Sequence, residues 1–417
     1  MTRVLVVDDS QFMRTVVDNA LTEAGYDVET ATNGSEAIET AAAYDPDIVT
    51  MDVEMPELGG IDAVERIMAR NPTLILMLSV HTEQGTETTL DALERGAIDF
   101  LHKPDGSDGR TLADLSSEVV AKVDELANAN VSSIALARAS ASAYATRSSR
   151  ANRDVATGRA VAGAGAGADS RGSLEVSGGS TTNRPAGPDA QRAFSPGSGA
   201  GSKSESDEDP EPIELEGDHA DDPTVVLGAS TGGPKIVEAL FERLPADLGA
   251  KVLVVQHMPE GFTERFAERL DRLSEYDVRE ASDGELVRAG EAAIAPGDAH
   301  LEVANNVGGR LRVRLDDGER IHGVRPAIDV TMQSAAETAV DPICGVVLTG
   351  MGRDGAAGIE SIKRAGGHTI AQDEATSPVF GIPCQAIQTG CVDDIAPATE
   401  LVETIVDAFD TDGETDE

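Results

Sequence analysis

Carboxylate side chains stand directly after two short apolar runs near the start of the sequence. Asp8 and Asp9 follow the run Val4–Val7, and Asp52 follows the run Ile48–Met51. Three carboxylates that meet would form a hard oxygen site of the kind that Mg²⁺ prefers. One of them can also act as a nucleophile and form an acyl phosphate. These residues therefore point to phosphoryl transfer.

A hydroxyl group and an ammonium group follow later apolar runs of the same region. Ser79 comes after Leu74–Leu78, and Lys103 comes after Ile98–Leu101. A metal ion and a lysine together neutralise charge on a transferring phosphoryl group, and a hydroxyl can hydrogen-bond its oxygens. The alternative, that these residues are helix caps and a surface lysine, does not explain why all of them follow apolar runs.

A serine in a glycine-rich stretch is the first candidate of a second site. The sequence G-A-S-T-G-G-P over Gly228–Pro234 follows the apolar run Val225–Leu227, and its serine is Ser230. A sharp turn that exposes a serine oxygen above a sheet needs small neighbours. Proline suits the first turn of the next helix, whose N-terminus favours a developing oxyanion. A glycine-rich loop of this kind also cradles phosphates, and the motif alone leaves that alternative open.

A histidine and an aspartate follow two further apolar runs. His257 comes after Val252–Val255, and Asp354 comes after Val346–Leu348, within T-G-M-G-R-D-G. With Ser230 they can act as nucleophile, general base and base-orienting carboxylate. The order Ser, His, Asp differs from that of α/β-hydrolases, which argues against a lipase-type domain. The other histidines are poorer candidates. His81, His102 and His219 lie in or beside the first region or the segment that follows it, and the remaining three are interpreted as surface or structural residues: His300, His322 and His368.

The apolar runs alternate with helical patterns, which predicts the elements that position these residues. Two doubly wound parallel-sheet α/β domains are expected, the first flavodoxin-like and the second Rossmann-like. In such sheets ligands bind at the carboxyl ends of the strands. One helix face is predicted to contain Phe12, Val16, Ala20 and Leu21. Residues 286–315, with short runs that include Ala292–Ala295, predict a β-hairpin insert.

The composition divides the chain into four segments. We predict a first domain over 1–127, a disordered low-complexity linker over 128–222, a second domain over 223–410 and an acidic disordered tail over 411–417. The linker is rich in Ala, Gly, Ser and Pro, and Ala160–Ala168 is nearly all Ala and Gly. Such a segment cannot bury enough apolar surface to offset its chain entropy.

The formal net charge of −42 limits the possible partners. It comes from 75 acidic against 33 basic residues and is typical of a halophile, because molar salt shortens the Debye length to roughly 3 Å. Binding to nucleic acid is disfavoured, since phosphate neutralisation needs a basic face. No apolar run approaches the roughly 20 residues of a membrane span. Without a signal-like apolar segment at the N-terminus, the expected location is cytoplasmic.

The first region resembles the receiver domain of two-component response regulators. V-V-D-D-S, M-D-V-E-M-P-E-L-G-G and the late K-P carry the resemblance. It implies Asp52 as phosphoacceptor and a chemotaxis histidine kinase as phosphodonor. It also implies Mg²⁺ held by Asp8, Asp9, Asp52 and the backbone of Glu54. The resemblance also implies that Ser79, Lys103 and Phe100 sense the phosphoryl group. For Phe100, ordinary packing of a strand residue remains the alternative.

The second region resembles the catalytic domain of chemotaxis-receptor methylesterases, the CheB family. G-A-S-T-G-G, Q-H-M-P-x-G-F and L-T-G-M-G-x-D-G-A-x-G-I carry the resemblance. It implies a phosphorylation-activated carboxylic ester hydrolase that demethylates glutamate methyl esters of chemoreceptors, can deamidate their glutamines, and needs no cofactor for this reaction. It assigns Ser230, His257 and Asp354 to the triad. Backbone N–H groups of Met351 and Thr231 would hold the oxyanion.

Three features depart from the CheB pattern. Val324 stands where the family usually has histidine, in V-R-P-A-I-D, and Arg353 stands where asparagine is common. The linker is also longer than usual, with an end-to-end distance of roughly 50 Å. A linker of this length should lower the effective concentration of the first domain at the second. Inhibition of the second domain by the first should therefore be weaker than is usual in the family. Two rival functions are an amidase acting mainly on glutamine and a non-catalytic phospho-switched adaptor.

Overall fold

The computed structural model describes residues 1–80, 83–104, 111–128, 215, 219–338 and 341–411. Nearly all of the predicted linker over 128–222 and of the predicted tail over 411–417 lies outside these residues, as does His81. The bounds of the predicted segments therefore stay predictions. Among the described residues, no helix is both long enough and apolar enough to cross a membrane.

The N-terminal region is a five-stranded parallel sheet with the strand order β2-β1-β3-β4-β5. Its strands are β1 (Arg3–Val7), β2 (Asp27–Ala31), β3 (Ile48–Asp52), β4 (Leu74–Val80) and β5 (Asp99–Lys103). Its helices are α1 (Gln11–Glu23), α2 (Gly34–Tyr44), α3 (Gly60–Arg70), α4 (Glu83–Glu94) and α5 (Leu112–Ala127). Strand order reverses between β1 and β3, which makes their carboxyl ends the expected ligand site.

The buried face of α1 differs from the predicted one. Val17 and Leu21 are buried and Met13 packs beside them, whereas Phe12 is 62% exposed. Residues four apart share a helix face. The packed stripe therefore runs one residue further along the chain than the apolar pattern indicated, and the prediction for Phe12 was wrong.

The C-terminal region contains a seven-stranded sheet with the order β15-β14-β13-β6-β7-β10-β8, in which all neighbours are parallel. Its strands are β6 (Thr224–Ala229), β7 (Lys251–Gln256), β8 (Asp277–Glu280), β10 (Glu291–Ile294), β13 (Ile343–Val347), β14 (His368–Gln372) and β15 (Asp394–Ala396). Its helices are α6 (Gly233–Phe241), α7 (Phe262–Leu273), α8 (Ile328–Thr338), α9 (Ala356–Arg364), α10 (Ile382–Gln388) and α11 (Leu401–Asp407), with a 3₁₀ turn at Ala246–Leu248.

The predicted β-hairpin insert is present but shorter than expected. Strands β11 (His300–Asn306) and β12 (Leu311–Asp316) are antiparallel, and β9 (Leu286–Val287) joins them in a three-stranded sheet. The run Ala292–Ala295 was wrongly placed in this insert. It forms most of β10, which pairs in parallel with β7 and β8 and is buried on both faces, as its continuous apolar sequence requires.

Strand β6 lies between β13 and β7 in the larger sheet, and the chain order reverses there. The turns after these three adjacent strands therefore meet at one edge, where doubly wound sheets bind their ligands. The predicted fold class is confirmed in both regions.

Candidate active site

The predicted phosphoryl site forms at the carboxyl edge of the first sheet. Ligand atoms of Asp8, Asp9 and Asp52 all lie within 4.8 Å of one another. The Lys103 ammonium is 2.7 Å from Asp8 Oδ2 and 2.8 Å from Asp52 Oδ1. Asp52 and Lys103 are the last residues of β3 and β5 rather than the residues after them.

Burial is the main influence on Asp52. It raises the pKa of Asp52 to about 6, although Lys103 and the backbone N–H of Glu54 oppose the rise. Three carboxylates and one ammonium leave a net negative site made of hard oxygens, which fits a divalent cation. The Glu54 backbone lies at this site, close enough to Asp52 to lower the pKa of its carboxyl group.

The predicted phospho-sensing residues differ in their surroundings. Ser79 is buried near the end of β4, and its Oγ accepts a hydrogen bond of 2.8 Å from the Thr89 hydroxyl. Phe100, in β5, stacks on Phe262 of the C-terminal region, with ring centroids 4.4 Å apart. Phe262 begins α7, which follows the loop that contains His257. Packing within the N-terminal sheet therefore does not account for all the contacts of Phe100.

Ser230 lies in the tight turn between β6 and α6. Its N–H donates to Thr349 O at 3.0 Å, and its carbonyl accepts from Gly233 N–H at 2.8 Å. The turn also brings Ser230 against the loop after β13, because a Cβ on Gly350 would lie 2.5 Å from Ser230 Cβ. Only glycine allows this approach, which explains one glycine of T-G-M-G.

His257 and Asp354 meet as the sequence predicted. His257 Nε2 lies 2.9 Å from Asp354 Oδ2, so Nδ1 is the ring nitrogen left to accept a proton from Ser230. Asp354 also accepts the backbone N–H groups of Ile328 at 2.7 Å and Asp329 at 2.9 Å. Burial alone would raise the pKa of Asp354, but these donors outweigh it and lower that pKa.

The lowered pKa of Asp354 predicts how Asp354→Asn changes stability with pH. The folded pKa lies below the unfolded value of 3.8, so the carboxylate stabilises the fold fully above pH 3.8. This contribution is lost as the pH falls through the folded pKa. We expect Asp354→Asn to lower the unfolding free energy by about 2 kcal/mol at neutral pH, and by progressively less in acid.

Denaturant unfolding of the full chain in molar salt, from neutral pH to pH 3, measures this difference. Asp394→Asn is the matched control, because Asp394 pairs with His368 at 2.7 Å in an exposed position and should matter little. A difference between wild type and Asp354→Asn that stays constant down to pH 3 would contradict the assignment.

The two predicted oxyanion donors flank the serine. Within the described part of the chain, the backbone N–H groups of Thr231 and Met351 donate to no acceptor. Thr231 is buried, whereas the Met351 side chain is 48% exposed. Both N–H groups are therefore available to a bound carbonyl oxygen.

Two buried glutamines, which the sequence analysis did not single out, brace these loops. Gln256 Nε2 donates to Ser230 O at 2.9 Å and lies 3.4 Å from His257 O, so it links the turns of nucleophile and base. Gln372 Oε1 accepts the Thr349 N–H at 2.9 Å. Gln256 stands within Q-H-M-P, directly before His257. That adjacency is the sequence feature from which its role could have been predicted.

His322 is an exposed residue, in agreement with its interpretation as a surface or structural residue, and it also takes part in a hydrogen-bond network with a buried carboxylate. Its Nε2 lies 2.9 Å from Asp329 Oδ2, and ligand atoms of His322, Asp329 and Asp354 lie within 4.8 Å of one another. His322 therefore belongs to the surroundings of the triad. Among the described residues, the exposed Arg353 side chain forms no ion pair or hydrogen bond, and half-buried Val324 follows the His322 turn.

The N-terminal sheet domain contacts the serine turn directly. The Lys122 ammonium, on α5, hydrogen-bonds the hydroxyl of Thr231, the residue after Ser230. The same ammonium lies 2.6 Å from Asp99 Oδ2 and 3.5 Å from Glu125 Oε2. Burial opposes the charge on Lys122, but these carboxylates outweigh it and raise the pKa of Lys122 to about 12. The cation therefore persists in the contact.

A second ionic contact lies further along this interface. Arg269, on α7, hydrogen-bonds Glu94 of α4 and lies 2.5 Å from Glu238 of α6. With the Phe100–Phe262 stack, the face made of α4, β5 and α5 packs on α6 and α7. Strand β5, which carries Lys103, also carries Asp99, whose carboxylate binds the Lys122 ammonium at Thr231.

Comparisons with known proteins identify both domains. The sequence model of the CheB methylesterase family matches residues 225–405, and that of the response regulator receiver domain matches residues 4–112. A protein of Halobacterium salinarum named protein-glutamate methylesterase/protein-glutamine glutaminase is 44% identical, with 98% of this chain and 99% of that protein covered. One of Haloarcula marismortui with the same name is 43% identical, with 98% of each chain covered.

A solved structure is similar to the C-terminal region. It is the crystal structure of the Thermotoga maritima CheB methylesterase catalytic domain, 42% identical, with a TM-score of 0.43. It covers 46% of this chain and 99% of that chain. The two organisms of the full-length relatives are halophiles, in agreement with the high-salt interpretation of the charge.

The fold and the two family models together define a response regulator, in which a receiver domain precedes a methylesterase domain. The full-length relatives then fix the family. This chain belongs to the protein-glutamate methylesterase/protein-glutamine glutaminase family, the CheB methylesterases.

Proposed function

We propose that this chain is a phosphorylation-activated serine hydrolase that removes methyl groups from glutamate methyl esters of chemotaxis receptors. It would be a carboxylic ester hydrolase of the adaptation step. One observation carries the proposal: the turns after three adjacent strands hold Ser230, His257 and Asp354, with His257 bonded to Asp354 at 2.9 Å.

The geometry suggests how each residue acts. Ser230 Oγ attacks the ester carbonyl while His257 Nδ1 accepts its proton, and Asp354 stabilises the resulting imidazolium through Nε2. Backbone N–H groups of Thr231 and Met351 bind the oxyanion. Methanol leaves with the proton from His257. Water then attacks the acyl-enzyme in the same way and releases glutamate and free Ser230. No cofactor is needed for these steps.

In the receiver domain, Asp52 is proposed as phosphoacceptor. Asp8, Asp9, Asp52 and the backbone of Glu54 would hold Mg²⁺, which neutralises charge on the transferring phosphoryl group when bound. Lys103, already paired with Asp52, would contact the phosphoryl oxygens. Ser79 and Phe100 would then respond to it, with Phe100 passing the change to Phe262.

We further propose that the unphosphorylated receiver restrains the esterase through Lys122. Its bond to the Thr231 hydroxyl holds the residue that supplies an oxyanion donor. Phosphorylation of Asp52 would shift α4, β5 and α5, and so release Thr231. The linker over 128–222 is proposed as a long tether, which would make this restraint weaker than a short connector allows.

The variant Lys122→Met tests this restraint. We expect the unphosphorylated rate of methanol release to rise about tenfold, because one charge-assisted bond is lost, while the phosphorylated rate stays unchanged. Lys363→Met is the matched control, since Lys363 forms a surface ion pair with Asp393. An unphosphorylated rate equal to that of wild type would refute a role for Lys122.

The proposed partners are a chemotaxis histidine kinase as phosphodonor and methyl-accepting chemoreceptors as substrate. The receptor helices that the family resemblance implies are cytoplasmic, so the proposal places the reaction in the cytoplasm. Deamidation of receptor glutamines is a second activity of the same triad, because acyl transfer from an ester and from an amide share these groups.

Covalent labelling separates the hydrolase from a non-catalytic adaptor. A phosphonate reagent that reacts with activated serines should label the full chain at Ser230, and Ser230→Ala should abolish the label. An adaptor would need no activated serine, so unlabelled wild-type protein would favour that rival.

A further inference from the structure

His322 lies in an unusually constrained turn. The backbones of Ile321 and Val324 exchange two hydrogen bonds, of 3.1 and 3.0 Å. The two residues between them, His322 and Gly323, have φ values of 54° and 83°. Two-residue turns of this kind need positive φ at both positions, which Gly, Asn, Asp and His adopt more readily than other residues. The turn therefore fixes the direction in which the His322 side chain leaves the backbone.

The turn presents the imidazole to a buried carboxylate. His322 Nε2 lies 2.9 Å from Asp329 Oδ2, and the two side chains are 26% and 6% exposed. Asp329 Oδ1 accepts the N–H groups of Gly355 at 2.9 Å and Gly358 at 2.7 Å. Asp329 thus caps the N-terminus of α9, the helix that begins directly after the Asp354 loop.

Asp329 is also linked to the triad through its own backbone. Its N–H donates to Asp354 Oδ1 at 2.9 Å, and Gly355 is the residue after Asp354. Asp329 therefore holds Asp354 in two ways. Its N–H bonds the Asp354 carboxylate, and its own carboxylate bonds the N–H of the next residue, Gly355. Only the His322 imidazole bonds Asp329 Oδ2 among the described residues.

This cluster is a hydrogen-bond network rather than a metal site. The four oxygens of Asp329 and Asp354 together accept six N–H donors, from the two imidazoles and from four backbone groups. A cation would have to displace these donors from buried carboxylates, at a large cost in unpaired backbone groups.

We propose that His322 and Asp329 form a second His–Asp pair that positions Asp354 against His257. The inference rests on the proposed function of the triad. Without the His322 donor, buried Asp329 Oδ2 loses its partner, and Asp329 can turn away from Gly355 and Gly358. The Asp354 carboxylate then loses its fixed direction toward His257 Nε2, which matters most when His257 gains the Ser230 proton.

Two substitutions in the full chain test the pair. His322→Phe keeps a flat ring but removes the donor, and we expect kcat for methanol release from methylated receptor membranes to fall about tenfold to a hundredfold with KM unchanged. His322→Gln keeps an N–H donor and should restore most of kcat. Both are measured with phosphodonor in molar salt, beside thermal unfolding.

The second His–Asp pair of the domain provides a matched control. His368 Nε2 lies 2.7 Å from Asp394 Oδ2, away from the triad loops, so His368→Phe should leave kcat unchanged. Should His322→Phe fail to fold, His322→Ala replaces it in the same comparison with His322→Gln.

The outcomes separate the inference from the function on which it rests. A wild-type kcat for folded His322→Phe, or a raised KM with unchanged kcat, overturns the positioning role. If Ser230→Ala retains the wild-type rate in the same assay, the proposed function fails instead. A kcat that falls equally in His322→Phe and His322→Gln also overturns the inference, because the donor would then be irrelevant.

Discussion

Ser230→Ala is expected to lower methanol release from methylated chemoreceptor membranes by at least about a thousandfold. The substitution removes the hydroxyl oxygen that we propose forms the acyl-enzyme, while the proposed oxyanion donors Thr231 and Met351 remain. The measurement is the initial rate in molar salt with phosphodonor. Folding should be intact, because the hydrogen bonds that shape this turn come from the backbone of Ser230.

Ser361→Ala is the matched control. Ser361 is half-buried on α9, and its hydroxyl donates to the Ala357 carbonyl one turn earlier, so its loss should leave the rate unchanged. A Ser230→Ala protein that demethylates receptors at a near-normal rate would show that the serine is not the nucleophile.

Asp52→Asn is expected to abolish the response to phosphodonor completely. An amide has no carboxylate oxygen to accept the phosphoryl group, so the rate of methanol release should be identical with and without a small-molecule phosphodonor. The unphosphorylated rate should match that of wild type, because the contacts at Lys122 and Thr231 do not involve Asp52.

Asp45→Asn controls for the loss of one carboxylate from the receiver domain. Asp45 is exposed, pairs with Arg3 and has a φ of 51°, a conformation that asparagine adopts readily. Phosphodonor should activate the Asp45→Asn protein as it activates wild type. If Asp52→Asn is still activated by phosphodonor, another residue accepts the phosphoryl group or the receiver does not control the esterase.

The sequence grouped the residues of both candidate sites because these residues lie at or just after the ends of buried strands. Parallel sheets gather the carboxyl ends of their strands, so Asp52 with Lys103, and His257 with Asp354, could be grouped without any knowledge of distance. Continuous apolar strands are also the strongest local signal in such folds. The His257–Asp354 bond, Nε2 to Oδ2, follows from that placement.

Features that depend on distant packing were not predictable. A single-residue shift of the α1 stripe exposes Phe12, since the apolar pattern alone fits two neighbouring faces. β10 was placed in the hairpin because a short apolar run does not reveal which sheet pairs with it. His322 reaches Asp329 only through a positive-φ turn, and the Lys122–Thr231 contact joins two domains far apart in sequence.

Methanol release by the full chain from methylated chemoreceptor membranes, in molar salt, with and without phosphodonor, tests phosphorylation-controlled hydrolysis most directly. We expect a low rate that rises on addition of phosphodonor, and no release above background for Ser230→Ala in either condition. An unchanged rate on addition of phosphodonor would contradict receiver control of the triad, and release that does not depend on Ser230 would contradict the triad itself.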